Sequence, residues 1–224
     1  MKKHILIFDV NETLLDLKAL DPVFKRVFGD SSVRTLWFGQ FIQSALVSTV
    51  TNSYSEFGLI GKAALEMTAQ RKGVYLSDEN KHEILSGILQ LPPHLEVDKG
   101  LKSLRDAGFC LAALTNSTQR VVKKQLENAK LIQYFDKVLS ADEAKRLKPA
   151  KEAYIVAAKS FGVELKALRL VAAHAWDIAG ALRAGCAAAF VARPGIVLDP
   201  LVEKPDIVGM DLCEVANQII VMEH

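Results

Sequence analysis

Hydrophobic and polar residues follow one another along this chain in two different rhythms. Ile5, Leu6, Ile7 and Phe8 form a short continuous apolar run that stops at Asp9. A run without polar alternation, partly β-branched, predicts a strand buried on both faces, as in a parallel sheet. From about residue 16 to residue 93 the spacing is helical and no segment reads as a strand. It predicts helices over 22–27, 33–50, 56–72 and 78–91. Within 56–72, Phe57, Ile60, Ala64 and Met67 or Thr68 fall along one side. Ser77 and Asp78 supply the start signal of the last of these helices, and Pro92-Pro93 closes the segment.

From residue 94 onward, short apolar runs alternate with amphipathic stretches. Strands are predicted over 109–114, 137–140, 168–173, 187–192 and 207–208. Helices are predicted over 96–107, 117–129, 150–161, 177–184 and 212–222, three of them closed by Gly108, Gly162 and Gly185. This alternation predicts an α/β fold with a Rossmann-like parallel sheet covered by helices on both faces. The first strand belongs to the same sheet. Residues 1–15 and 94–224 then form the core, and 16–93 an inserted helical cap. The crevice between them lies over the strand ends.

Composition narrows the setting. A chain of 224 residues buries one substantial core with a smaller appended domain. Hydrophobic residues at 50% and charged residues at 24% are ordinary for a soluble globular enzyme. A formal charge of +2 with no basic run points away from nucleic acid and anionic membranes. No apolar stretch approaches a bilayer-spanning length. The run after Lys2 and Lys3 is stopped by Asp9 before a signal-peptide core forms. Cys110, Cys186 and Cys213 are odd in number and lack metal-ligand spacing, as expected of reduced thiols in a cytoplasmic protein. The expected partner is a small-molecule substrate, without cofactor or metal, and a homodimer is left open.

Polar residues cluster at the predicted strand ends, where open α/β sheets bind ligands. Asp9 follows the first strand, Thr115 and Asn116 end the second, Lys148-Pro149 follows the third and Asp177 the fourth. A carboxylate is a competent nucleophile when its attack leaves an ester that water later opens. A neighbouring ammonium such as Lys148 keeps it ionised and oriented. Thr13, Thr115, Asn116 and the backbone N–H groups after Asp9 can bind anionic oxygens. Taken singly, Asp9 reads equally well as a helix cap and Lys148 as a solvated surface lysine.

Together, in this order and with the cap in this gap, these residues resemble the haloacid dehalogenase superfamily over essentially the whole chain. Phosphoryl-transferring members carry a second Asp two residues after the nucleophile, where this chain has Asn11. They also hold Mg²⁺ through two acidic residues separated by three others; here Asp177 is present and Ala173 stands four residues earlier. A hard cation with fewer carboxylates binds poorly, and phosphoryl transfer depends on one. The closer resemblance is to the metal-independent, type II 2-haloacid dehalogenases. It rests on Asp9 with Thr13, Thr115-Asn116, Lys148 with Tyr154, and Ala175-Trp176-Asp177 followed by Gly180-Ala181. Phe57 matches an aromatic residue that contacts the halogen there. The resemblance implies that Asp9 displaces halide from C2 of a short 2-haloacid with inversion. Water activated near Lys148 and Asp177 then hydrolyses the ester at the Asp9 carbonyl carbon. It implies catalytic roles for Asp9, Thr13, Lys148 and Asp177. Substrate contacts fall to Asn11, Phe38, Phe57, Thr115, Asn116, Tyr154 and His174.

Three positions depart from that branch. Phe38 stands where an arginine cradles halide and substrate, and Arg34, one helical turn earlier, compensates only in part. Ala172 replaces a serine and His174 an asparagine. His174 titrates near neutrality and reads equally as a structural or a catalytic histidine. Trp176 reads as core packing under the site, and Tyr154 as a site hydrogen bond or a half-buried helix residue. Two other functions stay open: a Mg²⁺-dependent phosphatase, and a binding protein that kept the pocket without turnover.

Overall fold

Apolar runs that no polar residue interrupts need cover on both faces, and the sheet provides it. The computed structural model describes residues 5–223; Lys2, Lys3 and His4, and with them part of the signal-peptide expectation, lie outside the described residues. Six strands pair among these: β1 (Ile5–Phe8), β2 (Leu111–Thr115), β3 (Lys137–Ser140), β4 (Leu168–Ala172), β5 (Ala187–Val191) and β6 (Ile207–Gly209). All pairings are parallel, in the order β3-β2-β1-β4-β5-β6. The order reverses beside β1, whose neighbours are β2 and β4. A crevice therefore opens at the carboxyl end of β1, where Asp9 lies.

Four helices lie in the chain between β1 and β2 before the α/β alternation begins: α1 (Asp21–Phe28), α2 (Val33–Val50), α3 (Phe57–Lys72) and α4 (Asp78–Gly87). They are followed by α5 (Val97–Asp106), α6 (Gln119–Asn128), α7 (Lys151–Phe161), α8 (Ala175–Ala184) and α9 (Leu212–Glu223). Alternate residues of β1 part to opposite faces. Leu6 and Phe8 join Val97, Leu101, Val122 and Val215 of α5, α6 and α9, whereas Ile7 joins Ala157 of α7 and Ile178 of α8. The chain leaves the sheet and returns at one joint, where Leu15 pairs with Pro93. There the Asp16 N–H donates to Pro92 O at 2.8 Å and the His94 N–H to Leu14 O at 3.0 Å.

The four-helix segment is held by aromatic packing. Trp37 lies 5.3 Å from Phe24 and 5.8 Å from Phe41, and its indole N–H donates to Gly61 O at 3.0 Å. Phe41 stacks on Phe57 with centroids 4.1 Å apart. Of the boundaries that differ from those predicted, three have a clear physical reason. Phe109 belongs to the end of α5, because its N–H returns to Leu104 O behind the left-handed Gly108. The predicted helix over 78–91 tightens after Gly87 into a 3₁₀ turn at Ile88–Gln90. Most usefully, α8 begins two residues before Asp177, because Asp177 and Ile178 both donate N–H bonds to His174 O. Asp177 thus lies in the first turn, where the helix dipole favours its charge.

Gly180 of α8 packs directly against the loop that carries Lys148. A Cβ at this position would lie 2.5 Å from Pro149 Cβ and 2.5 Å from Tyr154 Oη. Gly180→Ala is expected to lose about 1–3 kcal/mol of stability from overpacking. Urea unfolding measures this, and wild-type stability in the variant would mean that α8 is not closely packed on Pro149.

Candidate active site

Asp9 follows β1, and its backbone N–H still pairs with the sheet, donating to Val171 O at 3.1 Å. Its carboxylate is buried, yet both oxygens have donors. Lys148 Nζ donates to Oδ1 at 2.9 Å. Thr13 Oγ1 donates to Oδ2 at 2.6 Å, and His174 Nδ1 lies 3.1 Å from the same oxygen. Burial alone would raise the pKa of Asp9, but the Lys148 ammonium, the His174 ring and the Thr13 hydroxyl hold it well below the ordinary carboxylate range. Thr13 is fixed in turn, because its hydroxyl accepts the Ala173 N–H at 2.9 Å and its carbonyl accepts from Arg193 Nη2 at 2.7 Å.

Lys148 is 1% exposed and uses every proton of its ammonium. Beyond Asp9, it donates to Leu114 O at 2.9 Å and to Asp177 Oδ2 at 2.6 Å. Burial pushes its pKa down, but the two carboxylates reverse that and leave it raised. Its backbone is clamped by Asn116, whose Oδ1 accepts the Lys148 N–H at 2.7 Å and whose Nδ2 donates to Lys148 O at 3.3 Å. Tyr154, fully buried, donates to Asp177 Oδ1 at 2.6 Å. Both Asp177 oxygens are therefore engaged, and burial raises its pKa against the pull of Lys148.

The second cation beside Asp9 is His174. Its Nδ1 faces Asp9, and its Nε2 lies 3.0 Å from Glu12 Oε2. Burial would discharge this ring, but the bonds to Asp9 and Glu12 lift its pKa to about 9. The rings of Trp176 and Phe38 lie 5.1 Å and 5.8 Å from it, which favours a cation. Glu12 is a residue the sequence did not single out. It holds a left-handed φ of 65°, which a non-glycine residue adopts only under constraint. Its N–H donates to Leu15 O at 2.8 Å and its carbonyl lies 3.1 Å from His94 Nε2. Arg34 does not reach Asp9: its Nε donates to Asp21 Oδ1 at 2.5 Å and its Nη1 lies 3.9 Å from Glu12.

Around Asp9 a cavity of only about 10 Å³ is lined by Asn11, Phe38, Phe57, Thr115, Lys148 and His174, with Asn116, Ile42 and Trp176. That is room for about one water. Trp176 is thus a half-buried wall of the cavity, and the expected packing beneath the site is not its place. A larger cavity of about 280 Å³ adjoins it across Asn11, Phe38 and Phe57, and is lined further by Leu17, Trp37, Phe41, Leu59, Leu85 and Ile88. Asn11 Oδ1 accepts from Gln125 Nε2 at 2.9 Å, and Thr115 Oγ1 accepts the Ser117 N–H at 3.2 Å. Asp177 and Tyr154 are not among the cavity-lining residues; they stand behind Lys148. Among the described residues no cluster of His, Cys, Asp and Glu is arranged to hold a metal ion. The Lys148 ammonium lies between Asp9 and Asp177, so this donor set fits a divalent cation poorly.

The family model for haloacid dehalogenase-like hydrolases matches residues 6–191. The chain belongs to this family. It is 25% identical to the (S)-2-haloacid dehalogenase of Pseudomonas fluorescens over 217 residues, covering 96% of this chain and 95% of that protein. It is 26% identical to (S)-2-haloacid dehalogenase 2 of Pseudomonas sp. strain CBS-3, covering 95% and 93%. The solved structure of the Xanthobacter autotrophicus L-2-haloacid dehalogenase with chloropropionic acid covalently bound superposes with a TM-score of 0.90. It is 20% identical, and the match covers 97% of this chain and 98% of that one. In this haloacid dehalogenase-like hydrolase a buried carboxylate and a buried lysine meet over the carboxyl end of the parallel sheet.

A raised histidine pKa is a stability statement with a definite sign. The folded value of about 9 exceeds the ordinary 6.5, so the His174 contribution is complete below 6.5 and is lost as pH rises through 9. Unfolding free energy is expected to fall between these two values, and His174→Asn to flatten that fall. Urea titrations across this window decide it; an equal slope in both proteins would place the titration elsewhere.

Proposed function

We propose that this protein hydrolyses the carbon–halogen bond of a 2-haloacid through an ester on Asp9, without a metal. The observation that carries the reading is the state of the Asp9 carboxylate: buried, held ionised, and donated to unequally. Oδ1 accepts one hydrogen bond, from Lys148, whereas Oδ2 accepts from Thr13 and faces His174. Oδ1 thus retains the freer lone pair and is the oxygen that attacks C2. Halide departs with the bonding pair as the Oδ1–C2 bond forms. In this reading residues 1–15 and 94–224 are the core, and 16–93 the cap that brings Phe38 and Phe57 over Asp9. The relatives named for (S)-2-haloacids, and the Xanthobacter structure with its covalently bound chloropropionic acid, support the chemistry.

The substrate differs from the smallest haloacids in this reading. Phe38 offers no charge, Arg34 is committed to Asp21 and Glu12, the Lys148 protons are all engaged, and the two His174 nitrogens face Asp9 and Glu12. A substrate carboxylate therefore meets no free cation among the described residues lining the small cavity. The adjoining cavity, mainly apolar although Glu56 and Arg120 also line it, supplies binding energy of another kind, about 0.8 kcal/mol per buried methylene. A 2-haloacid with an apolar chain of several carbons fits this arrangement better than chloroacetate. Thr115, Asn116 and Asn11 line its path, and Lys148 and Thr13 hold the nucleophile.

The sequence-based phosphatase alternative has no support in the donor set around Lys148. No helix among the described residues is long and apolar enough to cross a membrane. The free thiols of Cys110, Cys186 and Cys213 accord with a cytoplasmic setting. The test is a halide-release and phosphate-release screen with and without EDTA. Halide is expected from 2-bromohexanoate faster than from 2-bromopropionate, unchanged by EDTA and absent in Asp9→Asn. Inactivation by EDTA with recovery on Mg²⁺, or activity retained in Asp9→Asn, would overturn the reading.

A further inference from the structure

Hydrolysis of an Asp9 ester needs a base that can reach a water beside the Asp9 carboxyl carbon. Asp9, Lys148 and His174 are the ionisable groups that line the catalytic cavity among the described residues. Asp9 is itself the esterified group. Lys148 has its three protons engaged and stays cationic. Asp177 is fully buried, absent from the cavity wall, and has its oxygens committed to Lys148 and Tyr154. His174 alone presents a nitrogen to the cavity at the reacting carboxylate while its other nitrogen is held by a second carboxylate.

We propose, on the reading that Asp9 carries the ester, that His174 is the general base for the hydrolytic step and that Glu12 positions it. A ring held at Nε2 by a carboxylate, with Nδ1 turned to the reacting group, is the arrangement by which an acid residue fixes tautomer and orientation of a catalytic imidazole. The groups around it are Asp9 and Glu12 after β1, Arg34 of α2 against the far side of Glu12, and Lys148 with Asp177 beyond Asp9.

In the resting site the ring is a cation between two carboxylates. When the Oδ1–C2 bond forms and halide leaves, Asp9 becomes neutral and the cation loses one partner. Nδ1 then releases its proton to solvent, and Nε2–H stays on Glu12. A water gives a proton to Nδ1 as its oxygen bonds to the Asp9 carboxyl carbon. The bond from that carbon to Oδ1 breaks, and Oδ1 leaves with C2 as the product alkoxide. The alkoxide takes the proton of the added hydroxyl, which restores the Asp9 carboxylate opposite a protonated His174. One halide and one proton are released for each water consumed. Glu12 does this from a strained backbone, which explains why a non-glycine residue is kept at a φ of 65°.

The test is rapid-quench single turnover of 2-bromohexanoate by the wild type, His174→Asn and Glu12→Gln, with the ester followed by intact-protein mass across neutral to alkaline pH. In His174→Asn the ester is expected to accumulate and to hydrolyse at least about 100-fold more slowly. In the wild type, hydrolysis should speed up with pH to a plateau whose midpoint lies below the resting His174 value of about 9. That rise should vanish in His174→Asn and move to lower pH in Glu12→Gln, a shift that a merely structural glutamate would not cause. Ester that forms and hydrolyses at the wild-type rate in His174→Asn would overturn the assignment alone. So would wild-type hydrolysis that slows with rising pH, since His174 would then act as a donor. Ester forming in none of the three would remove the nucleophile and this inference with it. Should His174→Asn fail to fold, the wild-type profile and the Glu12→Gln shift still decide.

Discussion

The site depends on one ammonium between two buried carboxylates. Lys148 reaches Asp9 at 2.9 Å and Asp177 at 2.6 Å, away from water. An isolated charge in this place would cost several kcal/mol, and removing one partner of such a group commonly costs about 3–5 kcal/mol. Much of the neighbouring structure serves to keep the lysine there. The Asn116 amide holds its backbone from both sides, Tyr154 and the first turn of α8 fix Asp177, and Leu114 at the end of β2 takes its remaining proton. The switch in strand order at β1 is what brings the ends of β2 and β4 to the same point. The ionisation of Asp9 is thus a property of the sheet as well as of one contact.

The apolar ring of Phe38 and the titratable ring of His174 belong together. An arginine on α2 would bring a second permanent cation to the cavity. This chain has an aromatic ring there, and its second cation is on the opposite side of the crevice, on the loop after β4. The two are in contact, with centroids 5.8 Å apart. A permanent guanidinium beside the imidazolium would repel it, whereas a phenyl ring favours it. A second charge that titrates makes the site dependent on pH, and Phe38 leaves its side of the cavity apolar.

The sheet and the helical insertion were legible in the sequence because burial sets a period. Continuous apolar runs gave the strands, and a helical repeat from residue 16 to residue 93 gave the inserted segment. Asp9, Lys148 and Asp177 were legible as a set because they follow successive strands in a fixed order, and Thr13 because it completes the family pattern after Asp9. What side chains do in the loops was not, since no period governs their direction. Asn116 read as a substrate contact; it does line the cavity, but its engagement with the Lys148 backbone carried no signal. Glu12 carried no signal, because a left-handed backbone is rarely expected of glutamate. Trp176 was expected in the core and stands in the cavity wall, because α8 starts at Ala175 and not at Asp177.

The claim on which the rest turns is that Asp9 itself becomes esterified and is hydrolysed at its own carboxyl carbon. Single turnover of 2-bromohexanoate by excess enzyme in ¹⁸O-labelled water, followed by mass analysis of the peptide containing Asp9, tests it most directly. The account predicts that the label enters the Asp9 carboxylate and that the first 2-hydroxyhexanoate released carries none. Label in the product with none in the peptide would mean that water attacks C2 directly, and would contradict it.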